Sequence, residues 1–225
     1  GGVSFYDNQM GRMRGILPSG TIGEIFRYPF ALRYRWEYRD GCAYIAEMRF
    51  PAIYLARGVT PSGLAECKIP TYAQSIAEAP NTYIIGGRRG GFGSTGDGGP
   101  ALLATLGTLL DIAVSRDGSI TVADILGNRL RALLPDGTIQ RVADLPGPSL
   151  DARIAYGPTG ELFVLRGAQV FKMAAGTTEF SVYAGTGVVA DGGDGGLATN
   201  ATFGVGGDIV VASDGTVFIS DPQFH

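Results

Sequence analysis

Alternating apolar and polar positions run along the chain in short stretches, broken by Asp-Gly, Thr-Gly and Ala-Gly pairs. In "DIAVSRDGSITVADILGNRLRALLPDGTIQRVA" (Asp111–Ala143) the stretches are Ile112–Ser115, Ser119–Ala123, Arg129–Leu134 and Thr138–Val142. Asp117-Gly118 joins the first two and Asp136-Gly137 the last two. Asp-Gly between alternating runs signals a tight hairpin, because the turn needs positive φ. The segment is predicted to be a four-stranded antiparallel meander.

The same pattern recurs. "DARIAYGPTGELFVLRGAQVFKMAAGTTEFSVYAG" (Asp151–Gly185) carries Thr159-Gly160 and Ala175-Gly176 at its turns. "DIVVASDGTVFISDPQFH" (Asp208–His225) has the first two strands, and Val3–Phe26 has the second, third and fourth. Arg33–Gly63 supplies three strands, with "NTYIIGG" (Asn81–Gly87) as their fourth after an insertion. The units span 3–27, 28–87, 108–144, 148–187 and, in part, 205–225, with the insertion at 64–80. Four-stranded sheets repeating about every 40–50 residues are the mark of a β-propeller. The predicted fold is all-β, a propeller of five to six blades, six in the full protein and partly missing here.

Between units lie connections at 88–107 and 188–204, and both contain Gly-Asp-Gly-Gly, with Asp97 and Asp194 separated by 97 residues. A phosphate-binding glycine loop would open a long helix whose N-terminal amides face the anion. The apolar runs that follow are too short, and no Gly-Lys-Ser/Thr follows. These stretches are therefore read as joints between blades, two blades apart.

Composition sharpens this picture. The chain has 225 residues, 45% hydrophobic and 17% charged, which suits a folded domain. Its 36 glycines fit many tight turns. Net charge is −3, so nothing suggests a nucleic acid or an anionic membrane as partner. No apolar run reaches the ~18–20 residues that span a bilayer, so membrane insertion is not expected.

"GDGGPALLATLGTLLDIAVSRDGSITVADILGNRLRALLPDGTI" resembles an NHL repeat, on its "GDGG-PA" linker, its "VAD" strand end (Val122–Asp124) and its "NRLR" (Asn128–Arg131). "FISD" (Phe218–Asp221) and "GRMR" (Gly11–Arg14) are further matches. The resemblance implies a propeller of the kind found in large secreted or cell-surface proteins, the teneurin and Rhs-like group included. Asp124 and Asp221 are expected to accept amides of the loop after their strand. Asn128, Arg129 and Arg131 belong to the structural blade motif, an arginine reaching across the blade to such an acid.

Catalysis finds little support at this level. The only histidine is His225, whereas the amidating-lyase relatives of this fold use several, so their zinc site is not expected. No acid cluster is legible at the strand starts. The expected function is a non-catalytic structural or interaction module of a larger extracellular protein, with no cofactor and with protein partners or neighbouring copies around it. The alternative is a calcium-dependent hydrolase or lyase similar to gluconolactonase-like propellers, with Asp97, Asp191 and Asp194 as calcium candidates against the simpler reading of solvated turns.

Cys42 and Cys67 fall in one unit and are expected to form a disulfide that pins the insertion, given an oxidising compartment. Asn200-Ala201-Thr202 is an N-glycosylation sequon on a predicted surface connection. Both point to a secreted or cell-surface setting. The insertion 64–80 is the expected partner surface. The strands at the two ends do not complement each other, which predicts an excerpt of a longer chain, or edges paired by a neighbouring copy.

Overall fold

The computed structural model describes residues 4–7, 12–16, 22–27, 34–39, 42–48, 51–57, 59–60, 63–64, 67, 69–75, 81–88 and 90–224, with no side chains described before residue 35. His225, Gly11 and part of the insertion lie outside them.

The first sheet holds β1 (Ser4–Asp7), β2 (Arg12–Ile16) and β3 (Ile22–Arg27) in sequence order. The second holds β4 (Tyr34–Arg39), β5 (Cys42–Glu47) and β6 (Ala52–Arg57). After β6, just ahead of the insertion, β7 (Val59–Thr60) and β8 (Gly63–Leu64) form a separate hairpin. β9 (Gln74–Ser75) and β10 (Thr82–Gly86) then complete the order β4-β5-β6-β10-β9. The third sheet is β11 (Leu109–Val114), β12 (Ile120–Asp124), β13 (Arg129–Leu133) and β14 (Ile139–Asp144). The fourth is β15 (Arg153–Tyr156), β16 (Leu162–Arg166), β17 (Gln169–Met173) and β18 (Phe180–Ala184), and β19 (Ile209–Val211) pairs with β20 (Val217–Ile219). All pairings between these strands are antiparallel.

The alternation in the sequence explains the packing. Side chains of a strand point to opposite faces in turn. In the third sheet Ile112, Val114, Ile120 and Val122 pack with Ile53, Leu55 and Ile85 of the second sheet. Their neighbours Ala113 and Ala123 pack with Ile154, Leu162 and Val164 of the fourth. The fourth sheet's other face joins Phe163, Leu165 and Val170 to Ile209 of β19. Inner strands are thus buried on both faces, as in β12, where every residue is buried, whereas the outer strand β18 is largely exposed. β11 starts at Leu109, ahead of the expected Ile112, because Leu109 pairs with Asp124 across a bulge.

Among the described residues the helical turns of the connections are 3-10 turns, at Ala101–Leu103 and Ala198–Asn200. Gly96 and Gly193 explain their glycine requirement: each has a positive φ, 94° and 96°, and a Cβ there would come within 2.8 Å of the Ala104 Cα and 2.7 Å of the Ala201 Cα. Among the described residues no helix is long and apolar enough to cross a membrane.

Candidate functional site in the central channel

The first strand of each of four sheets contributes to one wall. Arg35, Trp36, Glu37 and Arg39 of β4, Asp111 and Ile112 of β11, Ile154 and Tyr156 of β15, and Asp208, Ile209 and Val211 on or beside β19 line a cavity of about 630 Å³. Among the described residues no three acids group closely enough to hold a metal ion, in keeping with the sequence reading, yet three acids do line this one space. Glu37, Asp111 and Asp208 come from three sheets and face one space.

Backbone amides of neighbouring sheets hold two of these carboxyls. The Ile154 N–H donates to Asp111 Oδ2 at 2.8 Å, and the Val114 N–H donates to Glu37 Oε2. Asp208 accepts its own neighbour's amide, Ile209 N–H, at 3.0 Å. Burial raises the Asp111 carboxyl to about 7, opposed by the Ile154 amide and reinforced by the Asp208 charge. Burial also raises Glu37, opposed by the Val114 amide and by the Arg39 guanidinium, 3.4 Å away. The Tyr156 hydroxyl bonds Thr121 Oγ1 at 2.8 Å, and burial raises its pKa. At neutral pH the wall therefore presents one carboxyl poised between its two protonation states, with a neutral phenol along the same wall.

The residues singled out from the sequence lie elsewhere. Arg131 is fully buried: Nε donates to Asp97 Oδ1, and its two terminal nitrogens donate to the Thr105 and Thr95 carbonyls, each at 2.8 Å. It also lies 3.5 Å from Asp124 Oδ2. Arg129 reaches Asp97 at 3.0 Å and Ser94 Oγ at 2.8 Å. Asp97 is thus held between two arginines. Asp124 also accepts from Ser94 Oγ at 2.9 Å, and Asp221 accepts the amides of Gly204, Gln223 and Phe224. Asn128 has φ +46° and accepts from Arg166 at 2.8 Å, tying the third sheet to the fourth. Asp191, Asp194 and Asn200 sit exposed on the second connection.

Among the described residues no group of three His, Cys, Asp or Glu side chains is placed to hold a metal ion.

Cys42 and Cys67 are joined as a disulfide, with Cα atoms 5.6 Å apart. It ties the start of β5 to the insertion, whose Tyr72 packs over the turn at Gly137 of the third sheet. Closing 25 residues of chain this way stabilises the fold by about 3 kcal/mol through the unfolded state. A Cys42→Ala/Cys67→Ala variant is expected to lose about that much in a denaturant titration, and the wild type should lose the same on reduction. An unchanged midpoint in both would refute the pinning role.

No family model and no curated protein sequence matches the chain. Solved structures do match in fold. A streptogramin B lyase superposes with a TM-score of 0.55 at 18% identity, over 98% of this chain and 59% of the lyase chain. The chain thus spans less than two thirds of that protein's length. A chain of a nidogen/laminin complex gives 0.57 at 14% identity, over 94% of this chain and 67% of that one. The chain is a β-propeller. A gluconolactonase from Xanthomonas campestris gives 0.52 at 18% identity, over 98% of this chain and 66% of that one.

This propeller's structural neighbours include a lyase and a lactonase, so the expectation that the chain is not an enzyme does not stand. A lyase and a lactonase share the fold, and three acids line one cavity. The likeness supports the propeller and adds no support for a teneurin- or Rhs-like setting.

Proposed function

We propose that the channel is an active site, and that the chain belongs to a propeller hydrolase or lyase in which Asp111 transfers the proton. The observation that carries this reading is Asp111 itself: a buried carboxyl on the wall of a 630 Å³ cavity, raised to about 7. A proton-transfer group works best when its pKa lies near the working pH. Opening a lactone requires a proton to leave the attacking water and another to reach the departing ring oxygen. Elimination by a lyase requires a proton to leave carbon and another to reach the leaving group. Asp111 can serve as base when ionised and as acid when protonated in either case. The Tyr156 hydroxyl and Arg35 supply donors for the negative charge that builds on the carbonyl oxygen.

The shared fold of a streptogramin B lyase and a gluconolactonase supports the two reaction types as starting points. The Cys42–Cys67 disulfide supports a secreted setting as part of the same proposal. The test is turnover of a panel of gluconolactone, aryl esters and a streptogramin B at neutral pH, with and without chelator. Turnover above the buffer rate is expected. No turnover of any of them would overturn the catalytic reading, and loss of turnover with chelator would show that a divalent cation takes part.

A further inference from the structure

One sheet face of the molecule is uncovered where its counterparts are not. Three sheets share a register that can be counted back from the glycine of their first turn. Asp111, Arg153 and Asp208 stand seven residues before Gly118, Gly160 and Gly215 respectively. In that register Ala113 pairs with Thr121 across the third sheet, Ala155 with Phe163 across the fourth, and Val210 with Phe218 across β19 and β20. The first two pairs are covered by the sheet that follows them. Ala113 packs in one cluster with Ile154, and Thr121, fully buried, bonds the Tyr156 hydroxyl at 2.8 Å. Phe163 is 1% exposed, under Ile209 and Val211 of β19. Val210 and Phe218, by contrast, are 59% and 57% exposed. Their neighbours Ile209, Val211, Val217 and Ile219 already pack on the fourth sheet. Alternation therefore turns Val210 and Phe218 to the opposite face.

The carboxyls repeat the pattern. Glu37 accepts the Val114 amide, one sheet on, and Asp111 accepts the Ile154 amide, again one sheet on, at 2.8 Å. Asp208 holds the place of Asp111 in the last sheet, yet it accepts the amide of its own neighbour, Ile209, and lies exposed. Among the described residues no amide of another sheet reaches it. The strand edges agree. β12 and β16 are each paired on both edges, whereas β20 is paired among the described strands with β19 alone. An exposed apolar pair, a carboxylate in the place where a neighbouring sheet donates, and an open strand edge on one side fit one kind of occupant, another sheet of the same build.

The fold favours one source for it. Solved propellers that match nearly all of this chain keep a third to two fifths of their own length beyond the match. In a closed ring such length supplies the remaining blades. We propose that the Val210 and Phe218 face of β19 and β20 is a blade-docking surface, covered in the natural protein by a further sheet of the same polypeptide. The first strand of that sheet lies along β19, packs on Val210 and Phe218, and donates an amide to Asp208. This gives the channel a further wall, and it holds whether or not the channel is catalytic.

The test compares the 225-residue chain with the full polypeptide as its source makes it. Val210→Cys is placed in both, and maleimide labelling of the peptide that carries residue 210 is followed by mass spectrometry at several protein concentrations. In the 225-residue chain the thiol is expected to react at the rate of a free thiol at every concentration. In the full polypeptide labelling is expected to slow by at least about tenfold, because a covered site reacts only through local opening. Phe218→Asp in the full polypeptide is expected to restore fast labelling, and Phe218→Leu is not. Hydrogen exchange over residues 208–219 of the unsubstituted proteins gives the same comparison should a variant fail to fold. Equal labelling and exchange in the two proteins would overturn the inference. Protection of the 225-residue chain that grows with its concentration would also overturn it, by assigning the face to a second copy.

Discussion

Replacing Arg131 by alanine is expected to cost about 3–5 kcal/mol of folding stability. The guanidinium is fully buried and holds four groups at once: Asp97, Asp124 and the carbonyls of Thr95 and Thr105. Alanine leaves the Asp124 carboxylate, itself fully buried, without that charge and frees the connection between the second and third sheets from its anchor. Arg131→Lys is expected to recover little, because one ammonium cannot span carbonyls and carboxylates arranged for a planar fork. Urea midpoints at fixed m-value measure this directly. A loss below about 1 kcal/mol for Arg131→Ala, the level of an exposed ion pair, would contradict the assigned role.

Asp111→Asn is expected to change how stability depends on pH. In the unfolded chain this carboxyl ionises near its ordinary value of 3.8, and in the fold near 7. The folded state therefore holds the proton more tightly. Its advantage from the neutral carboxyl is complete below about 4 and declines as pH rises towards about 7. Asparagine keeps an acceptor for the Ile154 amide but cannot ionise. The variant is expected to lose the decline between about pH 4 and pH 7 and to be more stable than wild type at neutral pH. Thermal midpoints across that window decide the matter. Parallel curves for the two proteins would show that Asp111 ionises in the fold as it does in water.

The blade architecture was legible because its signals are local. Asp117-Gly118 and Asp136-Gly137 close their own hairpins, and the alternation of Ile112, Ala113 and Val114 assigns each to one face or the other without knowledge of the rest of the molecule. The short strands β7, β8 and β9 were not legible: each has two residues, and β9 is a strand only because β10 lies beside it. The channel wall was missed for a related reason. Glu37, Asp111 and Asp208 are far apart in sequence, and only the level at which one first strand sits against the next sets Glu37 against Val114 and Asp111 against Ile154. Asp97 was read as a calcium candidate because its arginine partners stand more than 30 residues away. A signal was present nonetheless. Asp124 follows Asp97 by 27 residues and Asp221 follows Asp194 by the same interval. Such locked spacing between linker acid and strand-end acid suits a structural pair better than a solvated loop.

The dependence of kcat/KM on pH, followed for whichever ester or lactone is turned over, tests the central claim most directly when wild type and Asp111→Asn are run side by side. The account predicts an inflection near pH 7 in wild type, and a loss of about 10²–10⁴-fold in the variant with that inflection gone. Turnover by Asp111→Asn at the wild-type rate, with the same inflection, would place the proton-transfer group elsewhere and contradict it.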